Sequence, residues 1–561
     1  MTDYLGDPGP VDEISHGSRP SRPGRARHQT SVSPGAKLTA LTTALAVVLT
    51  GGVVTAAWRS FQSHNAPERL VPSTAFAVGT LDLSMRGQDG ALASFADHFP
   101  GSPTHHGDGS AVDRLLRAVF RGSSDPHVDY DKDIKPWLGD HVTLAGWTDK
   151  AGKPQMEGLL ESTDDSAARR ELSKLMKNGD GAFGFSDGYA VLGNNDAAVH
   201  AAIDAAHHSS LADNSSYVAD IDALPGDPAL TAWVDGPAAL KAIESSMAPV
   251  EAKMFERMGP MAAFGSASST FAGRMALGVR VDDRYIEVDS RSSGGRAQHQ
   301  ASTTDLRTLP ATTIAAFELG DPSALVTGAT TAMKFFGGFA GSAEVSCAAS
   351  VDVLPPASAV PLTVPHRKRV LRELAQKRRD LRRGKGNGCV SEHFTPPDPL
   401  KQIEQASGLQ LPGDAKAVLG DSVLASYGGL TMQGMPKVAV RTHPADLSAA
   451  RSVLDNVQTR LGVTSTFPLA VETSGDDFLL GTSGDYLHDV EQTGSLGEQA
   501  QVQLALGDLP ATVGAAGYVD LSKILPLLGS VPRDVQTLKA IGFWTSLDGS
   551  VQTSQLRIVV G

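Results

Sequence analysis

The pattern of hydrophobic and charged positions divides the chain into a polar tail, an apolar segment and a long mixed region. The apolar segment, residues 38–58, contains no charged residue and is bracketed by Lys37 and Arg59. A helix of this length would measure about 31 Å, close to the thickness of about 30 Å of the hydrocarbon core of a bilayer. The pattern therefore predicts one transmembrane signal anchor over residues 38–58.

Basic residues are concentrated on the N-terminal side of this segment. The tail over residues 1–37 has four arginines and a lysine after Glu13 without a further acid, and it is rich in Pro, Gly and Ser. Such a composition does not support a packed core, and positively charged flanks stay in the cytoplasm. We expect a disordered cytoplasmic tail, a linker over residues 59–70 and a single-pass location in the cell membrane, with the bulk of the chain extracytoplasmic.

Beyond residue 70, alternating segments and segments with helical periodicity follow one another. Alternation of apolar and polar residues predicts strands, as over 141–148 and 154–163, and apolar residues three to four positions apart predict helices, as over 111–121 and 165–176. Ser110-x-x-Asp113 has the spacing of a capping box for the first of these helices. Strand pairs covered by helices indicate an α+β fold with mostly antiparallel sheets.

Five landmarks of this region occur twice, in the same order. The first is a strand opening (71–78 and 309–316), and the second is a Gly-Asp turn (138–140 and 419–421). A Ser-Ala-Ala-Arg helix start (165–169 and 447–451) and a Leu-Gly strand end (192–193 and 480–481) follow. The last is a Leu-Pro pair before a strand (224–235 and 509–520). The offset rises from 238 at the first landmark to 281–288 at the others, so 43 extra residues lie between the first two landmarks of the second half. An internal duplication is predicted, with halves over 71–295 and 308–561, a linker over 296–307 and a basic insertion over 347–389.

The same landmarks resemble a known family. The strand opening at Pro72, followed by Val128–Tyr130 and Asp133–Asp140, is similar to an actinobacterial domain-of-unknown-function family numbered thirty-three fifty-two. The resemblance implies a short cytoplasmic tail, one membrane helix and a large extracytoplasmic α+β region, over about Arg69 to Gly561. It implies no catalytic residues, and the basic insertion is a departure from it.

Composition and charge narrow the classes of function. The chain of 561 residues has a net charge of −13, which argues against a general nucleic-acid-binding protein. Its two cysteines exclude a disulfide-dense scaffold and a cysteine-rich zinc module. The sequence contains no phosphate-binding loop, dinucleotide fingerprint or H-E-x-x-H motif. We therefore expect no cofactor and no nucleic-acid partner.

A nucleophilic serine is the main catalytic candidate. The segment Gly420–Val423 resembles the Gly-Asp-Ser block of lipolytic hydrolases, and Asp485 and His488 have the Asp-x-x-His spacing that such enzymes carry downstream. A serine nucleophile needs a histidine to accept its proton and a carboxylate to orient that histidine. In the first half, Asp140 is followed by His141, so the Gly-Asp turn recurs without the serine. We therefore expect a protein that is not an enzyme.

Two further features have both a functional and a structural interpretation. His200, Asp204 and His208 lie on one face of a predicted helix and are competent zinc ligands, but a solvent-facing stripe explains them better. The side chains of the apolar, glycine-rich segments 258–271 and 329–341 suit either the lining of a lipid-sized cavity or core elements packed under a sheet. We expect no metal site.

The insertion has the most distinctive chemistry of the chain. Cys347 and Cys389 bracket it, and in an oxidising compartment they would form a structural disulfide. Between them, residues 366–386 contain ten Lys and Arg residues and two acids, a net charge of +8 that leaves −21 for the remainder of the chain. A short basic amphipathic helix suits an anionic lipid or wall polymer, and docking on the acidic remainder of the chain explains it equally. The candidate contact residues are Arg367, Lys368, Arg369, Arg372, Lys377, Arg378, Arg379, Arg382, Arg383 and Lys385.

These features predict a membrane-tethered extracytoplasmic scaffold or binding protein of the cell envelope. One alternative is a lipid-binding or carrier module of the envelope that uses the apolar segments. The other is a serine-dependent envelope hydrolase that uses Ser422. The sequence names no protein partner and no oligomeric state.

Overall fold

The computed structural model describes the chain from residue 66 to residue 561 with internal gaps. The gaps are residues 86–88, 100–108, 123–128, 177–180, 247–272, 295–299, 323–403, 405–407, 411–412, 433, 462–469, 493 and 529–530. The predicted tail, the predicted membrane helix and the basic insertion therefore lie outside the described residues. Among the helices that the structure does describe, none is long and apolar enough to cross a membrane.

The first half alternates strands and helices. Its strands are β1 (Ala75–Asp82), β2 (Leu138–Thr148), β3 (Pro154–Ser162), β4 (Ala182–Ser186), β5 (Tyr189–Gly193), β6 (Leu230–Asp235), β7 (Arg274–Val281) and β8 (Tyr285–Ser293). Its helices are α1 (Asp89–Asp97), α2 (Ala111–Gly122), α3 (Asp165–Leu175), α4 (Asp196–His208), α5 (Ser215–Asp222) and α6 (Gly236–Ser246). The predicted capping box is present at α2, because the Asp113 N–H donates to Ser110 Oγ at 3.0 Å and the Ser110 N–H donates to Asp113 Oδ2 at 3.2 Å.

The described residues of the predicted linker and the second half contain ten strands, the first of them in the linker. They are β9 (Ala301–Ser302), β10 (Ala315–Leu319), β11 (Val423–Leu430), β12 (Pro436–Thr442), β13 (Ala470–Ser474), β14 (Asp477–Gly481), β15 (Thr512–Val513), β16 (Ala515–Asp520), β17 (Leu538–Asp548) and β18 (Val551–Val560). The helices are α7 (Thr304–Arg307), α8 (Gly413–Leu419), α9 (Leu447–Leu461), α10 (Gly484–Glu491), α11 (Ala500–Leu506), α12 (Leu521–Ile524) and α13 (Arg533–Gln536). Strands β9 and β15 form a small separate sheet.

The other sixteen strands of the described residues form one continuous sheet. Their order is β13-β14-β12-β11-β10-β16-β17-β18-β8-β7-β6-β1-β2-β3-β5-β4. Every neighbouring pair in it is antiparallel. The predicted α+β fold with a mostly antiparallel sheet is therefore confirmed. Counted outward from the centre of the sheet, the strands of the first half and those of the second half follow the same order, which supports the predicted internal duplication.

The two halves meet at β8 and β18 in the middle of the sheet. Thr231 of β6 and Ala516 of β16 correspond, and they pair with Gly278 of β7 and Trp544 of β17. These two residues pair in turn with Asp289 and Gln555, which therefore correspond as well and face each other across the junction. The junction thus has an approximate two-fold axis through the Asp289–Gln555 pair.

A buried ion network crosses this junction. The carboxylate of Glu287, 1% exposed, pairs with Arg280 of its own half and with Arg557 of the other half. Arg280 also contacts Asp289 at 2.8 Å, and the Arg557 guanidinium lies 4.5 Å from the centre of the Tyr285 ring. Because a buried charge without a partner is costly, these contacts favour one register between the halves.

Helices cover both faces of the sheet in the first half. Leu160 points to a core under α1, α2 and α3 that includes Trp137. Its neighbour Leu159 points to the opposite face, where α4 and α5 cover a core that includes Trp233. In the second half, α10 and α11 cover a core around Tyr486. Burial of each large apolar side chain contributes about 1.5–3 kcal/mol, so these cores fix the sheet that positions the candidate site.

Candidate functional site

The Gly-Asp turn of the second half lies against the residue that follows β12. Gly420 comes directly after α8 with a φ of +63°, and a Cβ atom built on it would lie 1.8 Å from the carbonyl oxygen of His443. The Asp421 N–H donates to that carbonyl at 3.2 Å, and the His443 N–H donates to the carbonyl of Ser422 at 3.3 Å. These backbone contacts bring Ser422, just before β11, beside His443.

Ser422, His443 and Asp477 form a chain of polar contacts. Ser422 Oγ lies 3.0 Å from His443 Nδ1, and His443 Nε2 lies 2.7 Å from Asp477 Oδ1. Asp477 is the first residue of β14, and β12 pairs with both β11 and β14. The three side chains therefore come from neighbouring ends of three adjacent strands. The His443 side chain is 39% exposed, so the site is open to solvent.

Arg441 lies beside Asp477, on the side away from solvent. Its guanidinium donates to Asp305 Oδ1 at 3.0 Å and to the carbonyl of Val490 at 2.7 Å, while its Nε lies 3.6 Å from Asp477 Oδ2. Burial raises the pKa of Asp477, and the neighbouring His443 and Arg441 oppose that rise. Arg441 is thus held by α7 and α10, and it places a positive charge beside the Asp477 carboxylate.

The first half has different side chains at the corresponding positions. The corresponding pairs are His141 and Ser422, Glu161 and His443, and Tyr189 and Asp477. His141 Nδ1 lies 2.6 Å from Glu161 Oε2, an oxygen that also accepts from the N–H groups of Asp140 and His141 at 3.0 Å. Burial lowers the pKa of His141, but the hydrogen bond to Glu161 and nearby carboxylates raise it by more. The frame of the site is common to both halves, and the serine is present only in the second.

The arrangement in the second half can activate a hydroxyl group. An ionised carboxylate only accepts hydrogen bonds, so its contact with Asp477 places the ring proton of His443 on Nε2. The lone pair of Nδ1 then faces the Ser422 hydroxyl and can accept its proton. In the familiar Ser-His-Asp triad the serine contacts Nε2 and the aspartate contacts Nδ1, so the two nitrogens are exchanged here. Either nitrogen of imidazole can serve as the base.

Ser422 is the candidate nucleophile of the hydrolase alternative, but the residues that contact it are not the Asp485 and His488 considered with it. The Asp485–His488 pair lies on α10, where His488 Nε2 contacts the Gln492 side chain at 2.8 Å. His443 contacts the serine instead, and the aspartate that begins β14 contacts His443. No sequence spacing singles them out, because antiparallel pairing of β11, β12 and β14 brings them together. The sequence gives one indication: His443 directly follows β12, the strand that would pair with β11, which begins after Ser422.

The three candidate zinc ligands of the sequence lie on α4. His200, Asp204 and His208 all lie on this helix with exposed side chains, as a solvent-facing stripe would. Among the described residues, no group of three His, Cys, Asp or Glu side chains is arranged to hold a metal ion.

The remaining predicted site residues lie outside the part of the chain that the structure describes. They are Cys347, Cys389 and the ten Arg and Lys residues from Arg367 to Lys385, together with the whole of the apolar segments 258–271 and 329–341. Their predicted roles stay predictions.

Comparison with known proteins relates the first part of the chain to one family. The model of a protein family of unknown function, DUF3352, matches residues 40–186. This segment extends from the predicted membrane helix to the end of β4 and covers about a quarter of the chain. Over these residues the match supports the resemblance to a family of unknown function. No curated protein and no solved structure matches the chain.

Proposed function

We propose that this chain is a membrane-tethered, extracytoplasmic scaffold or binding protein of the cell envelope that engages an anionic lipid surface. The observation that carries the proposal is the segregation of charge, with +8 on residues 366–386 and −21 on the remainder. On a chain with a predicted membrane anchor, a basic segment of this kind is attracted to a surface of opposite charge.

The attachment of the basic segment to the fold supports this proposal. The segment belongs to the connection between β10, which ends at Leu319, and β11, which begins at Val423. Both strands lie inside the continuous sheet. A disulfide between Cys347 and Cys389 would close the base of the segment and shorten its reach. The sheet and the disulfide would then hold the basic residues close to the fold.

The position of the predicted anchor also supports the proposal. Residues 59–65 separate the predicted membrane helix from Ala66, where the described fold begins. Seven extended residues span at most about 25 Å, so the fold would remain near the bilayer. Each basic side chain at an anionic bilayer contributes about 1 kcal/mol of attraction. Several such side chains would therefore add a second contact with the membrane.

Sedimentation with liposomes tests the proposal. The chain without residues 1–58 should sediment with vesicles that contain phosphatidylglycerol at low salt. High salt should release it, because salt screens charge interactions. Replacement of Arg378, Arg379, Arg382 and Arg383 by Gln should abolish the binding, since it removes half of the net charge of the segment.

A matched variant controls for net charge. It replaces four exposed arginines of the described fold by Gln, namely Arg170, Arg284, Arg451 and Arg533. This variant should sediment as the unmodified chain does. Absence of sedimentation at low salt, or equal loss in both variants, would contradict a specific role for the basic segment.

A further inference from the structure

We infer that Ser422 is the nucleophile of a serine acyl-transfer site, with His443 as its general base and Asp477 as the residue that positions the imidazole ring. The substrates would be neutral acyl esters of alcohols. This activity goes beyond the proposed scaffold function and depends on side chains that take no part in the proposed membrane contact.

The distances satisfy the first requirement of base catalysis. A general base must lie about 2.6–3.2 Å from the atom whose proton it takes, and His443 Nδ1 lies 3.0 Å from Ser422 Oγ. The opposite nitrogen lies 2.7 Å from Asp477 Oδ1, which fixes the tautomer and stabilises the imidazolium that forms. The three groups therefore have the roles of nucleophile, base and orienting carboxylate.

The frame around these groups is firm. Backbone ladders join β12 to β11 on one side and to β14 on the other. Arg441, whose side chain is 12% exposed, contacts Asp305 of α7 and the carbonyl of Val490 of α10, and its Nε lies 3.6 Å from Asp477 Oδ2. Groups placed on strand ends and held by buried contacts need little reorganisation before reaction.

Exposure and charge indicate the class of substrate. The ring of His443 is accessible from solvent, and Ser422 is half-buried beside it. Two exposed carboxylates, Asp421 and Asp476, flank the site next to Ser422 and Asp477 along the chain. Negative groups disfavour anionic ligands, so a neutral acyl group fits better than a phosphate ester or an ester of a dicarboxylic acid.

The proposed reaction has two steps. Ser422 Oγ attacks the carbonyl carbon of the ester while its proton passes to His443 Nδ1. The bond from that carbon to the alcohol oxygen breaks, and the alcohol leaves with the proton from His443. Water then loses a proton to His443 and attacks the acyl-serine, which releases a carboxylic acid and restores Ser422 as the proton returns to its oxygen.

Covalent labelling of the full-length chain in detergent micelles tests the inference. An alkyl fluorophosphonate probe forms a bond to an activated serine oxygen with loss of fluoride, and peptide mapping should place the label on Ser422. The variant Ser422→Ala should lose the label. The control Ser474→Ala changes a serine that pairs with Asp477 at the neighbouring turn, and it should keep the label.

Variants of the other two residues separate a catalytic arrangement from a merely structural one. His443→Gln should lower the labelling rate constant about 10²–10⁴-fold, the range for loss of a general base. Asp477→Asn should lower it as well, and the double variant should fall no further than His443→Gln alone, because groups that act as a unit are not additive. With p-nitrophenyl acetate, Asp477→Asn should lower kcat and leave KM unchanged.

Three results would overturn the inference. They are an unlabelled wild-type chain, a label that maps to a residue other than Ser422, and full labelling of His443→Gln. The mapping experiment needs no variant, so it tests the inference even where a substitution disturbs folding.

Discussion

Three buried glutamates show how single residues couple this fold to pH. Burial raises the pKa of Glu68 to about 7 and the pKa of Glu157 and Glu318 to about 8. Among the described residues, neither carboxyl oxygen of Glu157 has a hydrogen-bond partner. The folded chain therefore keeps these carboxyl groups protonated at pH values at which the unfolded chain has released the protons.

The consequence for Glu157 is a loss of stability as the pH rises. Below about pH 4.5 the group is protonated in both states and has no effect. Between about pH 4.5 and about pH 8 the unfolded state alone loses the proton, so the free energy of unfolding falls, by about 5 kcal/mol as an upper limit. Urea unfolding at several pH values should show this fall reduced in Glu157→Met.

A glutamate on an edge strand serves as the control for that substitution. Glu472→Met, on β13, replaces a partly exposed side chain and should keep the pH dependence of the wild type. An unchanged pH dependence in Glu157→Met would contradict the assignment of the effect to Glu157.

The sequence predicts the chemistry of single residues only where neighbours along the chain supply it. Gly420, Asp421 and Ser422 are contiguous, so the turn and its candidate nucleophile can be recognised. His443 and Glu157 cannot be recognised in this way. Strand pairing brings the first to the serine, and helices packed on the sheet bury the second.

At the scale of elements, two glycines with nearly the same positive φ differ in what surrounds them. Gly420 has a φ of +63° and Gly475 a φ of +60°, a region in which residues with a Cβ atom are strained. A Cβ atom at Gly475 would meet nothing within 4 Å, whereas at Gly420 it would collide with the backbone of His443. The two positions separate the cost of conformation from the cost of a collision.

Alanine substitutions at both glycines measure that difference. Gly475→Ala should lower the free energy of unfolding by about 1–2 kcal/mol, the cost of the positive φ. Gly420→Ala should cost more than about 3 kcal/mol, since the backbone must also move. It should also slow fluorophosphonate labelling, because the turn that places Ser422 is displaced. Equal losses in urea unfolding would contradict the collision.

Helices and strands are the best-predicted elements because their periodicity is local. The predicted strand over 154–163 appears as β3 over Pro154–Ser162, and the predicted helix over 165–176 appears as α3 over Asp165–Leu175. The start of β2 is predicted less well, at residue 141 instead of Leu138. The ladder between β2 and β3 is irregular between Leu138 and Val142, and such an irregularity interrupts the alternation on which the prediction depends.

At the scale of the whole molecule, the sheet depends on contacts between residues far apart in the chain. Glu287 and Arg557 are 270 positions apart. Repeated landmarks predict two similar halves, but they contain no information about the strands at which the halves join. That choice depends on the complementary charges of β7, β8 and β18, which act only when the halves meet.

Removal of the central carboxylate should therefore weaken the whole molecule. Glu287→Gln leaves Arg280 and Arg557 without their shared partner, and loss of one member of a buried ion pair costs about 3–5 kcal/mol. Urea unfolding should show this loss in a single transition. Asp283→Asn breaks an exposed pair with Arg284 at 3.7 Å and should cost less than about 1 kcal/mol. Similar losses in the two variants would contradict the central role of Glu287.

The pairing of β8 with β18 also affects how the protein is made. At least 258 residues separate paired positions of these strands, and at roughly 5–20 residues per second their synthesis takes tens of seconds. During that time the first half presents a bare edge whose missing neighbour resembles β8 itself. A strand of another nascent chain can pair with that edge before β18 is made. Slow synthesis of the second half would thus favour contacts between chains, and the speed of translation would govern the yield of chains whose β8 is closed by their own β18.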